Sequence, residues 1–217
     1  MIKTSQMKGN KKTKKGFTLI ELLVVIAIIA ILSVVVILTL NPAELLRQSR
    51  DSNRISDLSV TKSAISFYLA SVNSPNLASS SAGYNEAYYS QANPPVLTTA
   101  SSGFSTADIT AANVTGSVQY AINSTGWIPV NFTAITAGGS PLASLPHDPV
   151  NSTTSLDSYG DPLIYGYAAS SSLLFKLTAH MESQKYQGGT NPGSNDVETT
   201  DGGNSNYTYE QGTLLTL

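Results

Sequence analysis

Two histidines, His147 and His180, are the chain's whole supply of near-neutral general acids and bases, and it has no cysteine. His147 sits in a proline-rich turn and His180 near the end of an apolar stretch, where packing or surface roles are usual. The sequence contains no Gly-x-Ser-x-Gly, no phosphate-cradling glycine loop at a helix start and no His-Glu-x-x-His. These residue types point away from an enzyme. Asp196, Glu198 and Asp201 supply hard oxygen donors inside the Gly-, Asn-, Asp- and Thr-rich stretch from Gln187 to Asn206. They are candidate calcium ligands, although their spacing matches no EF-hand loop; a flexible acidic loop is the alternative.

The carboxylate with the most unusual surroundings is Glu21. Behind it, Leu22 to Leu40 forms 19 consecutive residues without a charge, a helix of roughly 28 Å against a hydrocarbon thickness of ~30 Å. Glu21 lies four residues into the apolar stretch that begins at Phe17. An unpaired charge there costs at least ~2.5 kcal/mol, so a partner is expected. Six lysines precede the run: Lys3, Lys8, Lys11, Lys12, Lys14 and Lys15. A secretory signal would have a shorter apolar core of about 7–15 residues closed by a small-x-small site. Here Asn41-Pro42-Ala43-Glu44-Leu45-Leu46-Arg47 follows instead. An ordinary anchor helix explains the length and the lysines but gives no reason for Glu21.

Lys14-Lys15-Gly16-Phe17-Thr18-Leu19-Ile20-Glu21 followed by this run resembles the class III signal of type IV pilins and of type II secretion pseudopilins. The resemblance implies cleavage by a prepilin peptidase between Gly16 and Phe17 and N-methylation of Phe17. It also implies a role for Phe17 and Glu21 in assembly, the carboxylate of one subunit meeting the terminal amine of the next. The amine also lies about one turn from Glu21 of its own chain, so an intramolecular pair stands beside the intermolecular one. The implied function is a structural subunit of a filament serving adhesion, motility or DNA uptake, with a secretion pseudopilin as the alternative. An anchored extracellular binding protein that never polymerises is a third reading. Implied partners are further copies of the chain, minor pilins, the peptidase/methyltransferase, an inner-membrane assembly platform and the membrane itself. Major pseudopilins bind calcium in their C-terminal loops, which bears on Asp196, Glu198 and Asp201.

Of 217 residues 41% are hydrophobic and 12% charged, enough for one anchoring helix and one modest domain. Half of the 12 basic residues fall in the first 15 positions, so cleavage after Gly16 leaves 6 against 14 acidic side chains, a formal −8. That balance argues against a nucleic-acid surface. The leader lysines favour a cytoplasmic N-terminus, which puts the remainder outside the cytoplasmic membrane: in a pilus on the cell surface or a pseudopilus within the envelope after assembly. Without cysteine the exported domain must hold by packing, a bound ion or assembly, and it departs from pilins that close a C-terminal loop with a disulfide.

The expected class is α+β: a long N-terminal helix packed on a small antiparallel sheet. Residues 1–16 form the leader, 17–40 the membrane and filament-core helix, and 41–72 an amphipathic continuation. Residues 73–116 form a Ser/Ala/Asn-rich loop region and 117–217 the sheet-bearing head. Pro42 is expected to kink one helix running from Phe17 to about Val72, roughly 84 Å long. Ile55, Leu58, Ile65, Leu69 and Val72 share one face, with Lys62 the polar intruder. Arg47, Arg50, Asp51, Arg54 and Asp57 share another, spaced for pairing of Arg47 with Asp51 and of Arg50 and Arg54 with Asp57. That charged face is either solvated or a contact between subunits. Strands are expected over Ser117–Ile122, Trp127–Phe132, Leu163–Ala168 and Leu173–Glu182, with a short one at Tyr207–Glu210. Leu145–Asn151 and Asp157–Pro162, with Tyr165 and Tyr167 beyond, resemble the Asp-Pro turn and the aromatic-Gly-x-Pro segment of short pilins.

Overall fold

The computed structural model describes residues 16–78, 84, 86–91, 103–104, 110–112 and 119–217. The leader lysines, most of the Ser/Ala/Asn-rich stretch and the Ser117–Val118 start of an expected strand lie outside the described residues. The chain divides into two compact units, Met1–Pro42 and Ala43–Leu217.

In the first unit, helix α1 spans Leu19–Leu40. Its two internal hydroxyls bond back to the preceding turn, Ser33 Oγ to the Ile29 carbonyl at 2.7 Å and Thr39 Oγ1 to that of Val35 at 3.0 Å. No polar side chain within the run therefore depends on water, as an apolar surrounding requires. The helix stops at Asn41, which caps it in the left-handed conformation at φ 39°, a state that asparagine tolerates better than most residues. Helix α2, Pro42–Ser71, starts on the next residue. A single helix kinked at Pro42 was the expectation, and the backbone instead forms two helices. The residue before a proline is pushed out of helical geometry, whereas proline itself is suited to a helix's first position, where its missing N–H breaks no bond.

The second unit is α+β. After α2 come strands β1 Glu86–Tyr89 and β2 Thr110–Ala112, the ribbon β3 Ser152–Leu156 with β4 Pro162–Leu163, then β5 Tyr165–Ala169, β6 Phe175–Ala179 and β7 Tyr209–Gly212. The main sheet runs β2-β1-β5-β6-β7. Its pairs are antiparallel except for β1 with β2, which is parallel. The β5–β6 hairpin sets Tyr165 against Ala179, Tyr167 against Leu177 and Ala169 against Phe175. By the period of two, those six residues share one face, and they form a single core with Leu58, Ala64, Ile65 and Tyr68 of α2. The opposite face carries Ala87, Tyr89, Ile164 and Ala168 under Phe104. Gly166 is what lets Phe104 approach: a Cβ there would meet Thr178 Oγ1 at 2.4 Å and the Phe104 ring at 3.1 Å.

The segment expected to pair as Ser117–Ile122 with Trp127–Phe132 does not form strands over its described residues. Trp127, Ile128, Val130 and Phe132 are buried in the core, but the backbone bridge is an isolated one, Asn123 to Asn131. Two further backbone bonds tie the segment to 119–122, Trp127 N to the Gln119 carbonyl and Phe132 N to that of Ile122 at 2.8 Å each, without a continuous ladder. Pro129 offers no N–H to a ladder, and Phe132 begins a 3-10 turn, Phe132–Ala134. Conversely, β1 and β2 rise from the stretch expected to be loop.

Candidate functional site

The N-terminal helix begins with a closed capping box. Thr18 Oγ1 accepts from the Glu21 amide at 3.3 Å, and the Glu21 carboxylate accepts from the Thr18 amide at 3.4 Å. Thr-x-x-Glu ahead of an apolar run is the sequence signature of this device, and it makes Thr18 a local partner for Glu21. Glu21 thus holds the N-terminal turn of α1 and faces the positive end of the helix dipole. Phe17 is exposed, and a Cβ at Gly16 would meet nothing within 4 Å. Among the described residues, packing makes no demand for glycine at position 16. From Leu19 to Ile37, α1 is long and apolar enough to cross a membrane, and none of that span is buried within the structure.

In the second unit, the charged face of α2 is neither solvated throughout nor paired as its spacing suggested. Asp51 and Arg54 are fully buried. Arg54 makes a bidentate bridge to Asp148 (Nε to Oδ2 2.6 Å, Nη2 to Oδ1 2.9 Å) and donates from Nη1 to Asp51 at 2.6 Å. Asp51 also accepts the amides of Glu182 and Ser183 at 2.9 and 2.8 Å. Arg50 pairs with Glu182, its Nε lying 2.7 Å from Oε2, and Asp57 accepts from the Tyr165 hydroxyl at 2.9 Å rather than from an arginine. Lys62, the polar intruder, reaches Gln211 at 3.0 Å. Burial alone would lower the Arg54 pKa. Asp148 and Asp51 more than offset that, so it stays above the ordinary guanidinium value and the charge is retained. The cluster bolts α2 to the Asp148 turn and to the chain leaving β6.

Residues 11–37 match the model of the prokaryotic N-terminal methylation motif. The chain carries the class III signal of type IV pilins and pseudopilins. No curated protein and no solved structure matches it. The motif's class is structural rather than enzymatic; it implies processing by a prepilin peptidase and assembly with other pilins. With the apolar α1 behind it, the motif is consistent with membrane anchoring and a pilus or pseudopilus.

In this pilin-like chain, Asp196, Glu198 and Asp201 are each engaged by neighbouring backbone. Glu198 accepts the Met181 and Gly188 amides at 2.8 Å each. Asp196 Oδ1 accepts the amides of Glu198 and Thr199, and Asp201 those of Gly203 and Glu210. The three do not gather around one point; among the described residues the cluster of possible metal ligands is Asp157, Asp161 and His180. The stretch is pinned rather than free: Glu198 is buried, and desolvation, against its two amide bonds, pushes its pKa up to about 8. Lys176 is buried on the second sheet face, 2.5 Å from Glu210 Oε1 and 2.7 Å from the Leu215 carbonyl. Burial lowers its pKa, with Glu210 opposing. His147 is exposed and stacks on Tyr120 with ring centroids 4.8 Å apart.

Proposed function

We propose that the chain is a structural subunit of a type IV pilus-like filament. A prepilin peptidase cuts between Gly16 and Phe17, the new terminus is N-methylated, and α1 leaves the bilayer to pack against α1 of neighbouring copies. The observation that carries this reading is the methylation motif fused directly to an apolar helix that none of the described residues buries. Leaving lipid for a dry helical bundle exchanges one apolar surrounding for another, so the long exposed face is compatible with both states. Before cleavage the Glu21 carboxylate is satisfied by Thr18; afterwards the Phe17 nitrogen is a cation one turn away. Paired charges in hydrocarbon cost far less than separate ones, so Glu21 is the acceptor for an incoming subunit's amine and sets the register. The subunit is inserted with its N-terminus cytoplasmic, assembles on an inner-membrane platform with minor pilins, and presents the head on the filament surface.

Glu21→Ala tests this. The variant should still be inserted and cut, yet be missing from sheared surface fibres, because the amine loses its buried counter-charge. Fibres in wild-type amounts would overturn the registration role.

A further inference from the structure

Asp157, Asp161 and His180 meet where three stretches of the head converge: the 157–161 turn, the end of β6 and the segment around Tyr207. One donor atom from each lies within 4.8 Å of the other two. Asp157 is divided in its surroundings. Its Oδ1 accepts the amides of Tyr159 and Asp161 at 2.8 Å each, which shapes the turn. Its Oδ2 is buried with no hydrogen-bond donor, in a side chain only 1% exposed. The nearest cationic candidate is His180 Nδ1 at 3.7 Å, beyond hydrogen-bond reach and itself 2.9 Å from the Tyr207 carbonyl. Buried polar atoms are almost always satisfied, and an orphaned carboxylate oxygen costs more than an orphaned neutral group. Asp196 and Asp157 both add negative potential at Glu198 close by. A cation at this junction is what the surrounding groups call for.

We propose that Asp157 Oδ2, the Asp161 carboxylate and the His180 imidazole form a binding site for a divalent transition ion, with zinc the best match. The donor set selects the class. An imidazole beside two carboxylates suits zinc better than calcium or magnesium, which favour oxygen throughout, and the chain has no thiolate to draw a softer ion. Three protein ligands leave the fourth position to water, the open sphere of catalytic zinc sites rather than the closed sphere of structural ones. Bonds of about 2.0–2.2 Å put tetrahedral ligands ~3.3 Å apart, so donors within 4.8 Å of one another must close by up to ~1.5 Å through side-chain rotation. Nδ1 is the ring nitrogen that lies 3.7 Å from Asp157 Oδ2, and it now donates to the Tyr207 carbonyl at 2.9 Å, so zinc enters by displacing that proton from Nδ1. Bound zinc would staple the 157–161 turn to β6. That turn already docks on the C-terminal stretch through Ser158 Oγ to Gln187 Oε1 at 2.9 Å and Tyr159 hydroxyl to the Gly188 carbonyl at 2.7 Å. The ion would take the place that a disulfide holds in other exported domains.

The test uses the full chain in detergent micelles, without a polyhistidine tag, stripped with chelator and titrated with zinc chloride or calcium chloride. The expected result is one zinc per chain by calorimetry and by metal analysis after desalting, with a zinc-dependent rise in melting temperature. Asp157→Asn keeps the Oδ1 acceptor, and Asp161→Asn alters only the second carboxylate. Each should weaken zinc binding at least tenfold, and Asp161→Asn provides the reading should Asp157→Asn fail to fold. Substoichiometric zinc, wild-type affinity in the folded variants, or binding of calcium in preference to zinc would overturn the assignment.

Discussion

Arg54 is the residue on which the second unit turns, because its guanidinium bridges Asp51 and Asp148 with all three side chains fully buried. Removing one member of such a group strands the others. Arg54→Met should therefore cost about 3–5 kcal/mol of stability, read from urea unfolding with the single tryptophan, buried Trp127, as reporter. A loss under about 1 kcal/mol would show that Asp51 and Asp148 find other partners. Glu198 makes a prediction of opposite character. Its pKa of about 8 in the folded chain lies above its ordinary 4.5, so between these values the folded state holds a proton that the unfolded state releases. Its stabilisation is complete below pH 4.5 and disappears as pH rises through 8. The melting temperature should fall from pH 5 to pH 9, and the fall should be shallower in Glu198→Gln. An identical slope in the variant would assign the effect to other groups.

Among the elements, the β5–β6 hairpin and α2 show what a sequence makes legible and what it hides. The α2 stripe is visible because burial repeats every three to four residues, and Leu58, Ile65, Leu69 and Val72 do meet the core. The hairpin is visible for the same reason at period two. Trp127–Phe132 misleads because apolar alternation reports burial, not a strand ladder; its side chains fill the core while its backbone makes scattered bonds to 119–123 without a regular ladder. Strand β1 was hidden by its length, four residues in a Ser- and Ala-rich setting. The Arg54–Asp148 bridge was hidden by distance, since its partners stand 94 residues apart and local spacing speaks only for neighbours on one helix. The Glu21 capping box, by contrast, was fully local and readable. At this scale Gly166→Val should cost about 1–3 kcal/mol, since any side chain there presses Phe104 and Thr178 away from β5. A melting temperature equal to wild type would mean that Phe104 does not close the second face of the sheet.

At the scale of the molecule, two units answer to different solvents. The first has an apolar helix with its polar groups satisfied internally and its N-terminal turn held by Thr18 and Glu21. The second buries paired charges, Arg54 with Asp51 and Asp148 and Lys176 with Glu210, and gathers its apolar side chains around the sheet. The methylation motif lies entirely with the first, across residues 11–37. The account stands most directly on the fate of that N-terminus, so the decisive measurement is the intact mass and N-terminal peptide of the protein recovered from membranes and from sheared surface material. A mature chain beginning at methylated Phe17 in the sheared fraction is the predicted result. A chain retaining the Met1 leader in both fractions would contradict it and leave a plain anchored domain.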